Sequence, residues 1–293
     1  MKTSSLLVLG IALFAFTACS DDDDDQSPAT TGNLELSFSQ LEPAGADEVY
    51  EGWIVVDGAP VSTGTFSVDA QGNLSKSTFS VAKADLDAAT DFVLSIEPAQ
   101  DSDPDPSDIK VLGGSFNNNE AMVSTNHPAA LNADFTTASG TYLLATPTTS
   151  DMSDELSGVW FIDGSNGSAG LNLPELPANW VYEGWAVING TPVSTGTFSD
   201  PSGSDMSAIF SGTDAGSPPA LGEDFVMNAP NGLSFPVVLT GMPLVISIEP
   251  NPDNSEAPFA FKPLFVMAGS ADHVNYPMDN QVATNFPTGT ATR

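Results

Sequence analysis

Four glutamates are the carboxylates of this chain whose setting could support acid–base chemistry. They form two pairs in strand-like surroundings, Glu51 with Glu97 and Glu183 with Glu249. Two carboxylates that face one cleft about 5 to 9 Å apart can hydrolyse a glycosidic bond. The alternative is that Glu97 and Glu249 satisfy backbone amides at strand ends, while the other two face solvent. Since the pairs lie in repeated segments, their recurrence is explained by duplication of those segments and is not evidence of catalysis. We therefore expect no catalytic residues and no enzymatic activity.

One loop is dense in aspartate and could offer oxygen ligands to a hard cation. Ca²⁺ takes six to eight oxygens, but this loop lacks the glycine and terminal glutamate of an EF-hand. We therefore expect a solvated acidic loop and no cofactor, with Ca²⁺ binding as the alternative. The weak candidate ligands are Asp101, Asp103, Asp105 and Asp108.

The histidines and tryptophans give few further candidates. His127 and His273 stand at non-equivalent places with no nearby cysteines, so we expect loop residues and no metal site. Trp53 and Trp185 lie in apolar runs that predict buried strands. Trp180, just before one of these runs, is expected to be exposed and is the candidate for a ligand surface.

The charge balance excludes some partners. The 293 residues carry 38 acids and 6 bases, for a formal net charge of −32. No basic patch is available to meet phosphates, so we expect no nucleic-acid partner. Self-repulsion at this charge destabilises a compact state unless salt screens it, which suggests salty surroundings.

The chain repeats itself over long segments. The second set of motifs is more widely spaced than the first, which predicts an insertion of about 20 residues within 212–232. The recurring motifs are Tyr50–Trp53 with Tyr182–Trp185, Pro60–Phe66 with Pro192–Phe198, and Ser95–Pro98 with Ser247–Pro250. The sequence thus indicates a tandem duplication.

The local pattern of each copy is that of strands. Asp57-Gly58 and Asn189-Gly190 predict type I′ hairpins, and alternating residues such as Phe92, Leu94 and Ile96 predict strands of period two. A short helical turn is expected near 81–86. We therefore predict an all-β protein with two tandem antiparallel β-sandwich-like domains, at 33–148 and 156–293.

The first residues have the layout of an export signal. An apolar run at 6–16 is too short to span a bilayer, and it ends at Cys19, the only cysteine. This resembles a bacterial lipobox, which implies a lipoprotein signal peptide at 1–18 and a lipidated Cys19. The acidic linker at 19–32 resembles the surface-export signal of Bacteroidetes lipoproteins; a solvated spacer is the alternative. The expected export residues are Ser20, Asp21, Asp22, Asp23, Asp24 and Asp25.

The order of motifs in each copy resembles the extracytoplasmic domain of the anti-sigma-K factor family. The first copy carries it on Tyr50, Trp53, Gly58, Pro60, Gly64, Phe66, Ile96, Glu97 and Pro98, and the second on the matching positions from Tyr182 to Pro250. The resemblance implies a β-rich outer module. Family members that inhibit a sigma factor add a membrane helix and a cytoplasmic domain, and we expect neither here.

These observations predict a lipid-anchored outer-membrane protein, exposed at the cell surface, that binds or scaffolds. Its expected partners are the membrane, through the N-terminal lipid, and an unidentified envelope protein or glycan. One alternative is an extracytoplasmic sensor or regulator in an envelope-stress pathway, and a second is a carbohydrate-active enzyme.

Overall fold

The computed structural model describes residues 30–204, 208–214, 220–253 and 255–293. The predicted signal peptide, Cys19 and the export residues Ser20 to Asp25 lie outside the described residues. Within these ranges, no helix is both long and apolar enough to cross a membrane.

The regular secondary structure of the described residues is almost entirely strand, as predicted. Its elements in order are β1 (Thr31–Ser39), β2 (Glu48–Val56), β3 (Ala59–Phe66), β4 (Thr78–Ala82), α1 (Lys83–Ala88), β5 (Asp91–Pro98), β6 (Lys110–Asn117), β7 (Glu120–Ser124), β8 (Ser139–Leu144), β9 (Gly158–Trp160), β10 (Ile162–Asp163), β11 (Ser168–Ala169), β12 (Leu171–Asn172), β13 (Trp180–Ile188), β14 (Thr191–Phe198), β15 (Gly222–Asp224), β16 (Pro243–Pro250), β17 (Leu264–Met267), β18 (Tyr276–Asn280), α2 (Val282–Asn285) and β19 (Thr288–Thr292).

Two large antiparallel sheets organise these strands. Sheet A has the order β3-β2-β5-β6-β7-β19-β1-β4, and sheet B has the order β14-β13-β16-β17-β18-β8-β9-β15, with β12 added beside β8. In each sheet the two edge strands, β3 with β4 and β14 with β15, lie close together. Each sheet therefore curls until it is nearly closed, which shields its edges from other chains.

The predicted hairpins form where expected. Asp57 and Gly58 have φ of 51° and 81°, and Asn189 and Gly190 have φ of 52° and 87°. Positive φ at both central residues is the type I′ geometry, whose twist matches that of the flanking strands. The hairpins pair β2 with β3 and β13 with β14, and each has a bulge just after its strand glycine, Gly52 or Gly184.

Sheets A and B exchange a strand. β19, from the end of the chain, lies between β7 and β1 in sheet A. β8, from the first half, occupies the same place in sheet B, between β18 and β9. The predicted domain boundary at 148–156 separates β8 from β9, although these strands pair in one sheet. Each sheet thus takes seven strands of its main order from one half of the chain and one from the other.

The cores of both sheets join. Alternate residues of each strand point inward, and the buried apolar side chains of the two sheets form one continuous cluster. Tyr50 stacks on Phe66 in sheet A, with ring centroids 5.7 Å apart, and Tyr182 stacks on Phe198 in sheet B at 5.5 Å. The same strand order and the same interior stacks therefore recur in the two sheets.

Candidate functional site

A chain of hydrogen bonds from tryptophan through serine to glutamate lies on the outer face of sheet A. The side chains of Tyr50 and Ile54 in β2, and those of Leu94 and Ile96 in β5, point into the core. Because successive side chains of a strand point to opposite faces, those of Trp53, Ser95 and Glu97 point outward. Trp53 Nε1 donates to Ser95 Oγ at 2.8 Å, and that hydroxyl donates to Glu97 Oε1. A serine has one O–H donor, so accepting from the indole and donating to the carboxylate fixes its orientation.

The same relay recurs on sheet B. Trp185 Nε1 donates to Ser247 Oγ at 2.8 Å, and Ser247 donates to Glu249 Oε1. All three side chains are buried, with Glu249 fully inaccessible to solvent. Trp53 and Trp185 are therefore buried as predicted, but on the outer faces of the sheets rather than inside them.

A second pair of glutamates adjoins the relay. Ser62 Oγ donates to Glu51 in sheet A, and Ser194 Oγ donates to Glu183 in sheet B. Glu51 is partly exposed, as predicted, whereas the expectation of a solvent-facing Glu183 is wrong, because only 4% of it is exposed. Every residue of these contacts lies in a repeated motif. The glutamates of the first copy and those of the second therefore occupy equivalent positions in the two sheets.

The two copies differ in how their carboxyl oxygens are satisfied. In sheet A, the Ser107 amide donates to both oxygens of Glu97, at 2.9 and 3.1 Å. In sheet B, the Phe259 amide donates to Glu249 Oε1 at 2.9 Å. The Oε2 atoms of Glu249 and Glu183 are buried without a hydrogen-bond partner. The expectation that Glu97 and Glu249 accept from backbone amides is thus confirmed for both.

Burial and neighbouring carboxylates change the acidity of these groups. Burial raises the pKa of Glu249 to about 7, with a further increase from Asp253 and a decrease from Lys262. Burial, together with Asp253 and Glu249, raises the pKa of Glu183 to about 8 against the effect of Ser194. Burial also raises the pKa of Glu51. A negative charge in the second copy is therefore costly unless a proton or another cation compensates it.

A cavity of about 360 Å³ lies where the loop after β16 meets the segment between β1 and β2. Glu249 and Asp253 line it from one side, and Glu42, Glu48 and Tyr50 from the other. The nearest ion pair joins Lys262 Nζ to Glu42 Oε2 at 3.7 Å. We call this space the acidic cavity. Sequence reasoning missed Glu42 and Glu48, since neither lies in a repeated motif.

The aspartates proposed for calcium lie on an exposed loop. Asp101 and Asp103 accept from amides two residues further along, at 2.8 and 3.1 Å, as in ordinary turns. Among the described residues, no three or more His, Cys, Asp or Glu side chains are grouped as a metal site requires. His127 contacts Asp91 at 3.3 Å and His273 contacts Glu155 at 3.2 Å, far apart in the chain.

The predicted exposure of Trp180 is wrong. It is 2% exposed, because at the start of β13 its indole packs on Phe259 and Phe261, with centroids 5.7 and 5.8 Å away. Trp180 is therefore not available at the surface to contact a ligand.

Two buried carboxylates in β15 escaped the sequence analysis because the first copy has no counterpart. Asp224 accepts from Trp160 Nε1 at 2.8 Å and from the Thr148 amide at 3.0 Å. Glu223 accepts from Ser211 Oγ. Burial raises the pKa of both. The hydrogen bonds of Asp224 and Glu223 hold the inserted segment of the second copy against neighbouring parts of sheet B, which is a structural role.

The comparison with protein families identifies one segment. Residues 26–109 match the family described as anti-sigma-K factor rskA, C-terminal. This segment contains β1 to β5 of sheet A and the Trp53–Ser95–Glu97 relay. No curated protein and no solved structure gives a significant match to the chain. The match supports a relation to a regulatory family for the first part of the chain.

Proposed function

We propose that the protein is a non-enzymatic, lipid-anchored module that binds or scaffolds at the cell surface, built from two tandem copies of an rskA C-terminal-like domain. The observation that carries the proposal is the reciprocal exchange of β8 and β19 between sheets of the same strand order. Two domains that complete each other form one body, which suits a scaffold better than two independently moving modules.

The chemistry of the relays supports a binding role. The buried carboxylates accept hydrogen bonds from serines and amides of the protein itself, with donors such as Ser95 and Ser247 held by tryptophan. A glycosidase instead needs two carboxyl groups that reach a substrate in a cleft. Glu97 and Glu249 are 1% and 0% exposed, so neither meets that requirement in this conformation.

The anchor is proposed from the residues around Cys19. Metabolic labelling with a palmitate analogue is expected to mark the wild type and not Cys19→Ala. Protease treatment of intact cells is expected to remove the wild type from the surface. Label on Cys19→Ala would overturn the lipid anchor, and complete protection from protease would overturn surface exposure.

The binding role has its own test. Cross-linking on intact cells followed by purification of the protein is expected to recover an envelope protein or glycan with wild type. Cys19→Ala, which should be released from the membrane, is the matched control. Equal recovery from both, or recovery from neither, would argue against a partner at the envelope.

The match at residues 26–109 favours one second candidate, a regulator of an envelope-stress pathway. A regulator that lies outside the cytoplasm must act through a protein that spans the membrane. The same cross-linking experiment separates the candidates: a membrane-spanning partner supports regulation, and a surface protein or glycan supports scaffolding.

A further inference from the structure

Two carboxyl groups of the second copy lie within hydrogen-bond distance of each other. Glu183 stands in β13, and Asp253 lies in the connection from β16 to β17. Glu183 Oε1 accepts from the Ser194 hydroxyl, while its Oε2 is buried and has no donor among the described residues. An ionised carboxylate has no hydrogen to donate, so two of them repel at this distance. The contact is stabilising only when one of the two groups holds a proton and donates it to the other.

The first copy shows that the fold does not impose this pair. Asp101 takes the place of Asp253, and Glu51 takes that of Glu183. Asp101 is exposed, and it acts on the partly exposed Glu51 through its charge, without a hydrogen bond between the two. The carboxyl pair is therefore particular to the second copy.

The pair adds a side-chain contact to a backbone contact that both copies have. At residues 250–253, the Asn251 amide donates to the Asn179 carbonyl at 2.8 Å. In the first copy, the Ala99 amide donates to the Asp47 carbonyl at 2.7 Å in the same way. Only in the second copy is the chain after this bond also held to the sheet by a pair of carboxyl groups.

The charges around the pair are almost all negative. Glu249 acts on Glu183 from β16, and Lys262, the neighbouring cation, acts on Glu249. The titratable side chains that line the acidic cavity opposite Asp253 are those of Glu42, Glu48 and Tyr50. Loss of the proton from the pair thus adds a charge among like charges, which favours movement of the half-buried Asp253 into water.

We propose that Glu183 and Asp253 share one proton, that this proton holds residues 250–253 against sheet B, and that they are released as pH rises. This device is independent of the proposed binding role. Residues 250–253 border the acidic cavity, whose opposite wall belongs to the first half of the chain. Their release is a local opening at the junction of the two halves, in which both sheets keep their strands.

The direction of the pH dependence follows from the two states of Glu183. Burial and the neighbouring carboxylates raise its pKa to about 8, and exposure on release returns it toward the ordinary value of 4.5. Between these values, each release frees one proton. The hold is therefore complete below pH 4.5 and is lost as pH rises through 8. The equilibrium constant for release is expected to increase about tenfold per pH unit between about pH 5 and pH 8, and to level off above.

Amide hydrogen exchange of the full-length protein in detergent tests the proposal. It is resolved to single residues and corrected for the intrinsic effect of pH. The Asn251 amide reports release, because its acceptor, the Asn179 carbonyl, does not titrate. Its protection is expected to fall about tenfold per pH unit between about pH 5 and pH 8. The Ala99 amide, its counterpart in the first copy, is expected to keep its protection.

Two variants replace the shared proton with an amide hydrogen that does not titrate. With Asp253→Asn or Glu183→Gln, the Asn251 amide is expected to be at least about tenfold better protected at pH 8 than in the wild type. The matched variant Asp101→Asn is expected to change neither amide. Infrared spectra at pH 7 give a second readout, since the C=O band of protonated carboxyl groups should be weaker in Glu183→Gln than in the wild type.

Protection of Asn251 that does not change with pH would overturn the proposal. An equal change at Ala99 would also overturn it, because the net charge of the chain would then explain both. The proposal fails as well if both variants keep the pH dependence of the wild type, or if the infrared band is the same in Glu183→Gln. Because these measurements involve neither cells nor a partner, their failure leaves the anchor and binding tests standing.

Discussion

The phenyl rings of Phe135 and Phe286 pack against each other with centroids 5.3 Å apart. Phe135 precedes β8 and Phe286 precedes β19, so the contact lies where the two exchanged strands leave their own halves of the chain. Asn280 adds a hydrogen bond from its side chain to the Phe135 carbonyl at 2.9 Å. The two halves of the chain therefore contact each other through a pair of phenylalanines, each of which precedes an exchanged strand.

This exchange predicts that the chain survives a cut between its halves. A protease site inserted in the exposed loop at 150–153, between β8 and β9, is expected to give two fragments that co-elute in size-exclusion chromatography. The first fragment supplies β8 to sheet B, and the second supplies β19 to sheet A. Each of these strands pairs with two neighbours, and a break in one loop leaves those pairings intact. The fragments should separate in urea. Separation in native buffer would contradict the strand exchange.

Gly289 and Gly140 occupy equivalent places in the exchanged strands but differ in their neighbours. A Cβ at Gly289 would lie 2.3 Å from the Ser37 carbonyl oxygen, whereas at Gly140 it would meet the ends of the Leu264 and Met278 side chains at 2.9 and 3.0 Å. Backbone cannot yield as flexible side chains can. Gly289→Ala is therefore expected to lower the free energy of unfolding by about 2 kcal/mol, more than Gly140→Ala, in urea titrations. Equal losses would contradict this.

The relay predicts a measurable cost for removing its serine. Ser247→Ala leaves Trp185 Nε1 buried without an acceptor and takes one donor from Glu249. We expect the free energy of unfolding to fall by about 1–3 kcal/mol, with a similar loss for Ser95→Ala in sheet A. Exposed Ser168→Ala is the control. A loss no larger than that of the control would show that the relay contributes nothing to stability.

The acidity of Glu183 and Glu249 predicts how stability changes with pH. Both folded pKa values, about 8 and about 7, exceed the ordinary value of 4.5. The folded state then binds more protons than the unfolded state, so this stabilisation is complete below pH 4.5 and is lost as pH rises through 7 and 8.

We expect Tm to fall by on the order of 10 °C between pH 5 and pH 9. The double variant Glu183→Gln with Glu249→Gln should flatten this dependence, and exposed Glu120→Gln should not. A double variant that keeps the full dependence on pH would show that other groups cause it.

The net charge of −32 predicts that salt stabilises the protein. Screening weakens repulsion among exposed carboxylates, so Tm is expected to rise when NaCl increases from low concentration to about 0.5 M. The measurement is thermal unfolding at constant pH. A falling Tm would argue against an adaptation to salty surroundings.

Much of the local structure could be predicted from the sequence. Asp57-Gly58 and Asn189-Gly190 specify type I′ turns through their tolerance of positive φ, and alternation in β5 and β16 specifies which side chains face inward. The predicted helical turn at 81–86 is confirmed as α1 at Lys83–Ala88. Recurrence of the Trp, Ser and Glu positions placed these residues on equivalent strands, and the hydrogen bonds that link them are seen only in the structure.

The partner of each exchanged strand could not be predicted. β8 and β19 share the sequence pattern Gly140-Thr141 and Gly289-Thr290, so the strand pattern alone does not say in which sheet each belongs. The pairing is between residues far apart in the chain, and it is accompanied by contacts such as Phe135 with Phe286.

The sequence by itself determined the strands, the hairpins, the repeated motifs and the acidic character of this protein, because each depends on neighbouring residues, on recurrence or on composition. Only the tertiary structure decided that Trp180 is buried, that β8 and β19 change sheets, and that Glu249 keeps an unpaired oxygen while Glu97 does not. These outcomes depend on groups far apart in the chain, and the burial of each polar group sets the free-energy cost of leaving it without a partner. The acidic cavity is of this second kind, since its carboxylates come from both halves of the chain.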